Sequence, residues 1–159
     1  MNEKISSILK TVEKPGRYSG GEYGAIIKDK KEVKARFAFC FPDTYEIGMS
    51  NLGVRLLYGA LNQNEDVWCE RAYTPWVDMQ EQMAEHALPL TTLESGDPLQ
   101  DFDFVAFTLQ YEMSYTNVLK MLDLAKIPLR TANRTDQDPI IIGGGPCAYN
   151  AEPDRKSVV

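Results

Sequence analysis

The 159-residue sequence predicts an α/β fold, a parallel sheet with helices on both faces. Three observations predict it. Residues 37–41, 104–109 and 139–142 are short, nearly continuous apolar runs, the pattern of strands buried on both faces. Amphipathic helical stripes lie between such runs. Strand followed by helix recurs three times before a fourth strand, an order satisfied by a parallel sheet with right-handed crossovers.

Taken in order, residues 2–12 set Ile5, Ile8, Leu9 and Val12 on one stripe of a helix too short to stand alone, so it must dock. Residues 14–21, with Pro15, Gly16, Gly20 and Gly21, read as loop. Residues 25–27 predict a short strand and residues 28–34 a polar connection. The first central strand, 37–41, stops at Pro42. A helix follows, capped by Ser50 or Asn51, with Leu52, Leu56, Leu57, Ala60 and Leu61 expected on its inner face. Residues 67–73 form a less apolar strand, nearer a sheet edge. Trp76, Met79, Met83 and Ala87 make the stripe of the next helix, with Pro75 near its first turn. Residues 90–93 predict a short extra strand. After the strand 104–109, a third helix turns Tyr115, Val118, Leu119, Leu122 and Ala125 inward. Gly143, Gly144 and Gly145 stop the fourth strand. The expected organisation is a leader over 1–34, an α/β domain over 35–153 and a tail over 154–159. Doubly wound domains continue with further helix and strand, so the sheet is expected to be incomplete at its C-terminal end.

The net charge of −6 is unevenly spread: residues 1–36 hold nine Lys/Arg against five Asp/Glu, and residues 37–159 hold eight against eighteen. An acidic body argues against nucleic acid as a partner, and the basic leader reads as a solvated segment. No apolar run approaches the ~20 residues of a membrane span, and no charged-then-apolar signal opens the chain. Cys40, Cys69 and Cys147 are spaced for neither a disulfide framework nor a metal knuckle, so a cytoplasmic protein is expected. His86 reads as a structural residue at a helix end.

In open parallel sheets, ligands sit beyond the carboxyl ends of the strands. Three segments occupy that position. The first supplies Asp43, Thr44, Tyr45, Gly48, Ser50, Asn51 and Gly53 as candidates. The second supplies Thr108 and Gln110, and the third Gly143, Gly144 and Gly145. Small, hydroxyl and amide side chains suit a ligand with many amides and a phosphate, and glycine lets backbone approach closely. Cys147, just past the glycines, reads as accessible. Gly48 to Gly53 lacks the Lys-Ser/Thr of a triphosphate loop, and no G-x-G-x-x-G follows a strand, so the usual nucleotide sites are absent.

The same residues carry a resemblance. Asp43-Thr44-Tyr45-Glu46-Ile47-Gly48 resembles the D-x-H-x-x-G motif of cobalamin-binding domains, with Tyr45 in the histidine's place. Thr108-Leu109-Gln110 falls at their S-x-L segment and departs from it, and Gly143-Gly144 matches their paired glycines. The stretches 41–53, 101–125 and 144–153 together look like the N-terminal region of cobalamin-binding-domain radical S-adenosylmethionine (radical SAM) proteins. The likeness covers nearly the whole chain and fades after Pro153. It implies a flavodoxin-like fold, a corrin seat at the strand ends, and a downstream catalytic domain holding S-adenosylmethionine and a [4Fe–4S] cluster. The chain has no C-x-x-x-C-x-x-C triplet, so that chemistry is not expected of it alone. A phenol with a pKa near ~10 is a poor metal ligand, so a bound cobalamin would lack a histidine from below. The rival reading is a flavodoxin-like interaction or regulatory domain that packs on the catalytic domain and binds no corrin. A flavin on the same strand ends is a third.

Overall fold

A computed structural model of the chain describes residues 3–150, with side chains from residue 6 onward. The expected tail at 154–159 and the side chain of Ile5 lie outside the described residues. Four strands, β1 (Ala35–Phe41), β2 (Val67–Tyr73), β3 (Phe104–Thr108) and β4 (Ile140–Gly144), form one parallel sheet in the order β2-β1-β3-β4. This is the predicted α/β, flavodoxin-like arrangement, with β2 at an edge as its composition suggests. The register sets Phe37 beside Phe104 and Ile140, and Phe39 beside Ala106 and Ile142. Side chains alternate across a strand, so these two rows share one face.

The opposite face is the larger core. Ala38, Cys40, Val105, Phe107 and Ile141 pack there against Ile8 of α1 (Glu3–Ile8), Met79 and Met83 of α4 (Val77–Glu85), and Val118, Met121 and Leu122 of α5 (Tyr115–Leu124). Each of the Val, Leu, Ile, Phe and Met side chains contributes about 1.5–3 kcal/mol by leaving water. The first face carries a smaller cluster, in which Phe39, Phe41, Cys69 and Tyr73 meet Val54 and Tyr58 of α3 (Leu52–Asn62). A short helix not expected from the sequence, α2 (Tyr45–Ser50), precedes α3. Asn51 separates the two: its backbone is extended and its Oδ1 accepts the Val54 N–H at 3.1 Å, capping α3.

Several local expectations are overturned. The inner face of α3 is Val54, Tyr58 and Asn62, whereas Leu52, Leu56 and Leu57 are 66%, 63% and 51% exposed. Polar anchors set this rotation. The Asn62 amide accepts the Cys69 N–H at 3.0 Å and donates to the Cys69 carbonyl at 2.9 Å. Residues 25–27 form no strand, because the Ile26 N–H donates to the Tyr58 hydroxyl and its carbonyl accepts the Trp68 indole N–H. Residues 90–93 contribute one isolated bridge, Thr91 to Pro98. Trp76 is an exposed residue at the start of α4, with the Arg17 guanidinium 5.4 Å over its ring, and Ala87 lies past the helix end at φ 53°. Leu119 is exposed, its place in the core taken by Met121.

The leader is packed rather than solvated. Ile8, Leu9 and Val12 are buried, and the Lys28 ammonium donates to the carbonyls of Asn62, Asn64 and Val67 at 2.6–2.9 Å. The physical cause lies in β2, which buries two adjacent charges on opposite faces. Glu70 pairs with Arg36 at 2.5 Å, while Arg71 pairs with Glu94 and with the leader's Glu22 at 2.6 Å each. Among the described residues no helix is long and apolar enough to cross a membrane.

Candidate functional site

Because all four strands are parallel, their carboxyl ends share one rim. The turns there are joined directly. Asp43 sits at the centre: its Oδ1 accepts the Thr44 N–H at 2.7 Å, its Oδ2 accepts the Tyr111 hydroxyl, and its carbonyl accepts the Thr74 N–H at 2.9 Å. The ends of β1, β2 and β3 are thereby tied through one residue. The Gln110 amide donates to the Thr108 hydroxyl at 2.6 Å. The third turn closes on the second: the Leu109 N–H donates to the Gly144 carbonyl at 2.6 Å, and the Cys147 N–H to the Leu109 carbonyl at 3.0 Å. Gly145 must be glycine, with φ at +109° and a Cβ that would meet the Leu109 carbonyl oxygen at 2.9 Å. A Cβ on Gly144 would meet nothing within 4 Å, so the rim is open there.

The structure thus brings together Asp43, Thr44, Thr108, Gln110, Gly143, Gly144 and Gly145. The other candidates serve packing or capping. Gly48 is buried where a Cβ would lie 2.2 Å from the Tyr73 ring. The Ser50 hydroxyl donates to the Ile47 carbonyl, Asn51 caps α3, and Gly53 lies in the first turn of that helix. Tyr45 turns away from the rim and meets Tyr73 edge-on, with ring centroids 5.5 Å apart. Burial, with the Glu22 carboxylate nearby, pushes its phenol up to about 12, so it is protonated at neutral pH.

Tyr45 also lines a neighbouring apolar cleft at the end of β2, with Tyr18, Tyr73, Met79, Met83 and Leu90. The Thr74 hydroxyl, at the same cleft, is buried without a hydrogen-bond partner. At its mouth the Arg17 guanidinium holds Glu46 down to about 2. Sequence reasoning singled out neither Thr74 nor the Asp43–Tyr111 pair, whose members lie 68 residues apart. The hydrogen bond to Asp43, aided by burial, pushes Tyr111 up to about 12.

The cysteines do not converge. Cys40 and Cys69 belong to the cores on opposite faces of the sheet, and Cys147 is buried rather than accessible. Burial pushes the Cys69 thiol up to about 12 and Cys40 higher still. Among the described residues no group of three His, Cys, Asp or Glu could hold a metal ion. The three thiols therefore do not make a set that could hold an iron–sulfur cluster.

Fold and rim define a flavodoxin-like α/β domain whose strand-end turns are gathered and cross-tied at one end of a four-stranded sheet. The family described as radical SAM proteins, N-terminal, matches residues 53–158, about two thirds of the chain. The chain belongs to that family. It is also 24% identical over 110 residues to the uncharacterized protein MJ0966 of Methanocaldococcus jannaschii. The matched region is 69% of this chain and 19% of that relative, so the chain spans about a fifth of the relative's length. No solved structure matches.

Proposed function

We propose that this chain is a non-catalytic N-terminal module of a radical SAM protein. Its strand-end rim docks on the downstream catalytic domain, where S-adenosylmethionine and the [4Fe–4S] cluster would reside. One observation carries this reading. The Asp43 carboxylate and the Thr108 and Gln110 side chains of the rim bond groups within it, while Ile47, Tyr111, Met113 and Tyr149, on the segments that follow β1, β3 and β4, stand exposed, Met113 at 87%. Clustered exposed apolar side chains mark a surface that another surface covers. Met113→Asp is expected to weaken association with the separately supplied catalytic domain at least tenfold while leaving the thermal midpoint unchanged. An unchanged affinity, measured by titration calorimetry, removes the reading.

A corrin seated on the same rim is the second reading, and the open space before Gly144 favours it. Amide contacts from Thr108, Gln110 and the turn at Gly143–Gly145 would hold such a corrin, with no residue beneath the cobalt. Hydroxocobalamin retained through desalting, and lost in Gly144→Val, supports it. A colourless protein rejects it.

A further inference from the structure

We propose that the apolar cleft at the end of β2 binds a small uncharged molecule with a single aromatic ring and one hydrogen-bonding group, which meets the Thr74 hydroxyl. The walls of the cleft come from both cores. Met79, Met83 and Leu90 belong to the larger one and Tyr73 to the smaller, so the two approach each other here. The leader adds Arg17 and Tyr18. Tyr45 and Tyr73 already meet edge to face, with centroids 5.5 Å apart, and the Met79 and Met83 side chains line the same space. Ring edges, ring faces and thioethers all favour a further aromatic ring.

Thr74 supplies the second, independent observation. It is 8% exposed, and its hydroxyl has no hydrogen-bond partner, although its N–H is held by the Asp43 carbonyl at 2.9 Å. Buried hydroxyls are almost always bonded, so one left open calls for a partner. The charged and phenolic groups around it are already engaged. Arg17 is paired with Glu46 at 2.9 Å, the Tyr18 hydroxyl accepts the Trp76 N–H at 3.0 Å, and the Tyr73 hydroxyl donates to the Met49 sulfur at 3.1 Å. Burial also raises the Tyr18 and Tyr73 phenols, so the walls offer no unpaired charge at neutral pH. A charged ligand would leave water without a counter-charge, which selects a neutral one. Volume limits its size. The cleft holds about 70 Å³. One water needs only ~10–15 Å³ and a closed cavity of ~150 Å³ takes a benzene, so this open cleft seats one ring with its far edge at the mouth, and not a fused pair. A wider groove of about 490 Å³ adjoins it, bordered by the same Tyr18, Leu88 and Pro89, and gives the ring its way in.

The cleft is independent of both rim readings, and a methionine titration tests it. The probes are para-cresol and toluene, the same ring without the hydroxyl. Each is titrated to millimolar concentration into the 159-residue chain carrying isotope-labelled methionine methyl groups, followed by nuclear magnetic resonance. With para-cresol, saturable shifts are expected at Met79 and Met83, while Met113 beside the rim and Met121 in the core stay unmoved. Thr74→Val keeps the shape of the side chain and removes the unpaired hydroxyl. It is expected to weaken para-cresol by about fivefold, the worth of one hydrogen bond, and to leave toluene unchanged. Thr74→Ser, which keeps a hydroxyl, should retain the preference for para-cresol over toluene. The thermal midpoint of Thr74→Val should be no lower than that of the parent; a marked fall means that the hydroxyl was already bonded and overturns the proposal. So do the absence of saturable shifts at Met79 and Met83, shifts confined to Met113, and equal affinity for para-cresol in the parent and in Thr74→Val.

Discussion

Replacing Glu70 by alanine is expected to cost about 3 kcal/mol of unfolding free energy, the low end of the range for breaking a buried ion pair. The carboxylate is fully buried, with Oε1 accepting from Arg36 Nη2 at 2.5 Å. Oε2 accepts from the Ser95 N–H at 2.9 Å and the Thr92 hydroxyl at 2.7 Å. Its removal takes an acceptor from all three donors, of which the Ser95 N–H has no other partner. The low end applies because Asp97 stays 2.9 Å from the same Arg36 nitrogen and the guanidinium lies 4.2 Å over the Phe102 ring. The Arg36 Nε already has no partner, so the intact pair is imperfectly satisfied and its net worth is small beside the cost of breaking it. In a domain of this size the loss lowers the thermal midpoint by about 6–12 °C. Urea titrations followed by circular dichroism measure it, with Arg36→Met, Glu70→Met and the double replacement alongside. The double variant should be more stable than the sum of the singles by more than about 1 kcal/mol. A Glu70→Ala loss below about 1 kcal/mol, or strict additivity in the cycle, refutes the account of β2 as a strand held by a buried charge.

Two further predictions concern the leader clasp and the glycines. Glu46 is held down from its ordinary 4.5 to about 2 by the hydrogen bond from Arg17, so its stabilisation is fully present above pH 4.5 and fades as the pH falls toward 2. Glu46→Gln should flatten the stability profile in that window; Trp76 lies under Arg17 and reports the clasp by fluorescence, and an unaltered profile counts against it. Gly145→Ala should destabilise by about 1–3 kcal/mol because it forces a Cβ into a positive-φ turn. Gly59→Ala, inside α3 with nothing within 4 Å of the new Cβ, should stabilise by about 0.5–1 kcal/mol. Thermal denaturation showing the same sign for both would contradict the assigned backbone roles.

Three of the strands were legible because their apolar runs match the burial of a parallel sheet, β2 less plainly because it carries Glu70 and Arg71, and the glycine turn because its three glycines end such a run. The rim was legible as a place, since parallel strands must end together. Its chemistry was not. Asp43 closes its bond with Tyr111 across 68 residues, and no local pattern announces that. Asn51 was readable as a cap; α2 before it was not, since Tyr45 to Ser50 carries no stripe long enough to show a period. Periodicity also misplaced the strand at 25–27, where side chains of Tyr58 and Trp68 take the backbone groups that a ladder would need.

The reversal of α3 is the most informative of these differences. Leu52, Leu56, Leu57, Ala60 and Leu61 spread apolar surface over more than half the helix circumference, and a single neighbour covers only a stripe of about 100°. Hydrophobicity alone therefore leaves the rotation of the helix undetermined, and the polar partners of Asn62 and Tyr58 decide it. Once they turn Val54 inward, the leucines must either meet water or meet a second body. β4 poses the same alternative independently: Ile140 and Ile142 alternate with buried Ile141 on a strand whose runs of isoleucine suit burial on both faces. Two segments some eighty residues apart thus carry exposed apolar surface that packing among the described residues does not use.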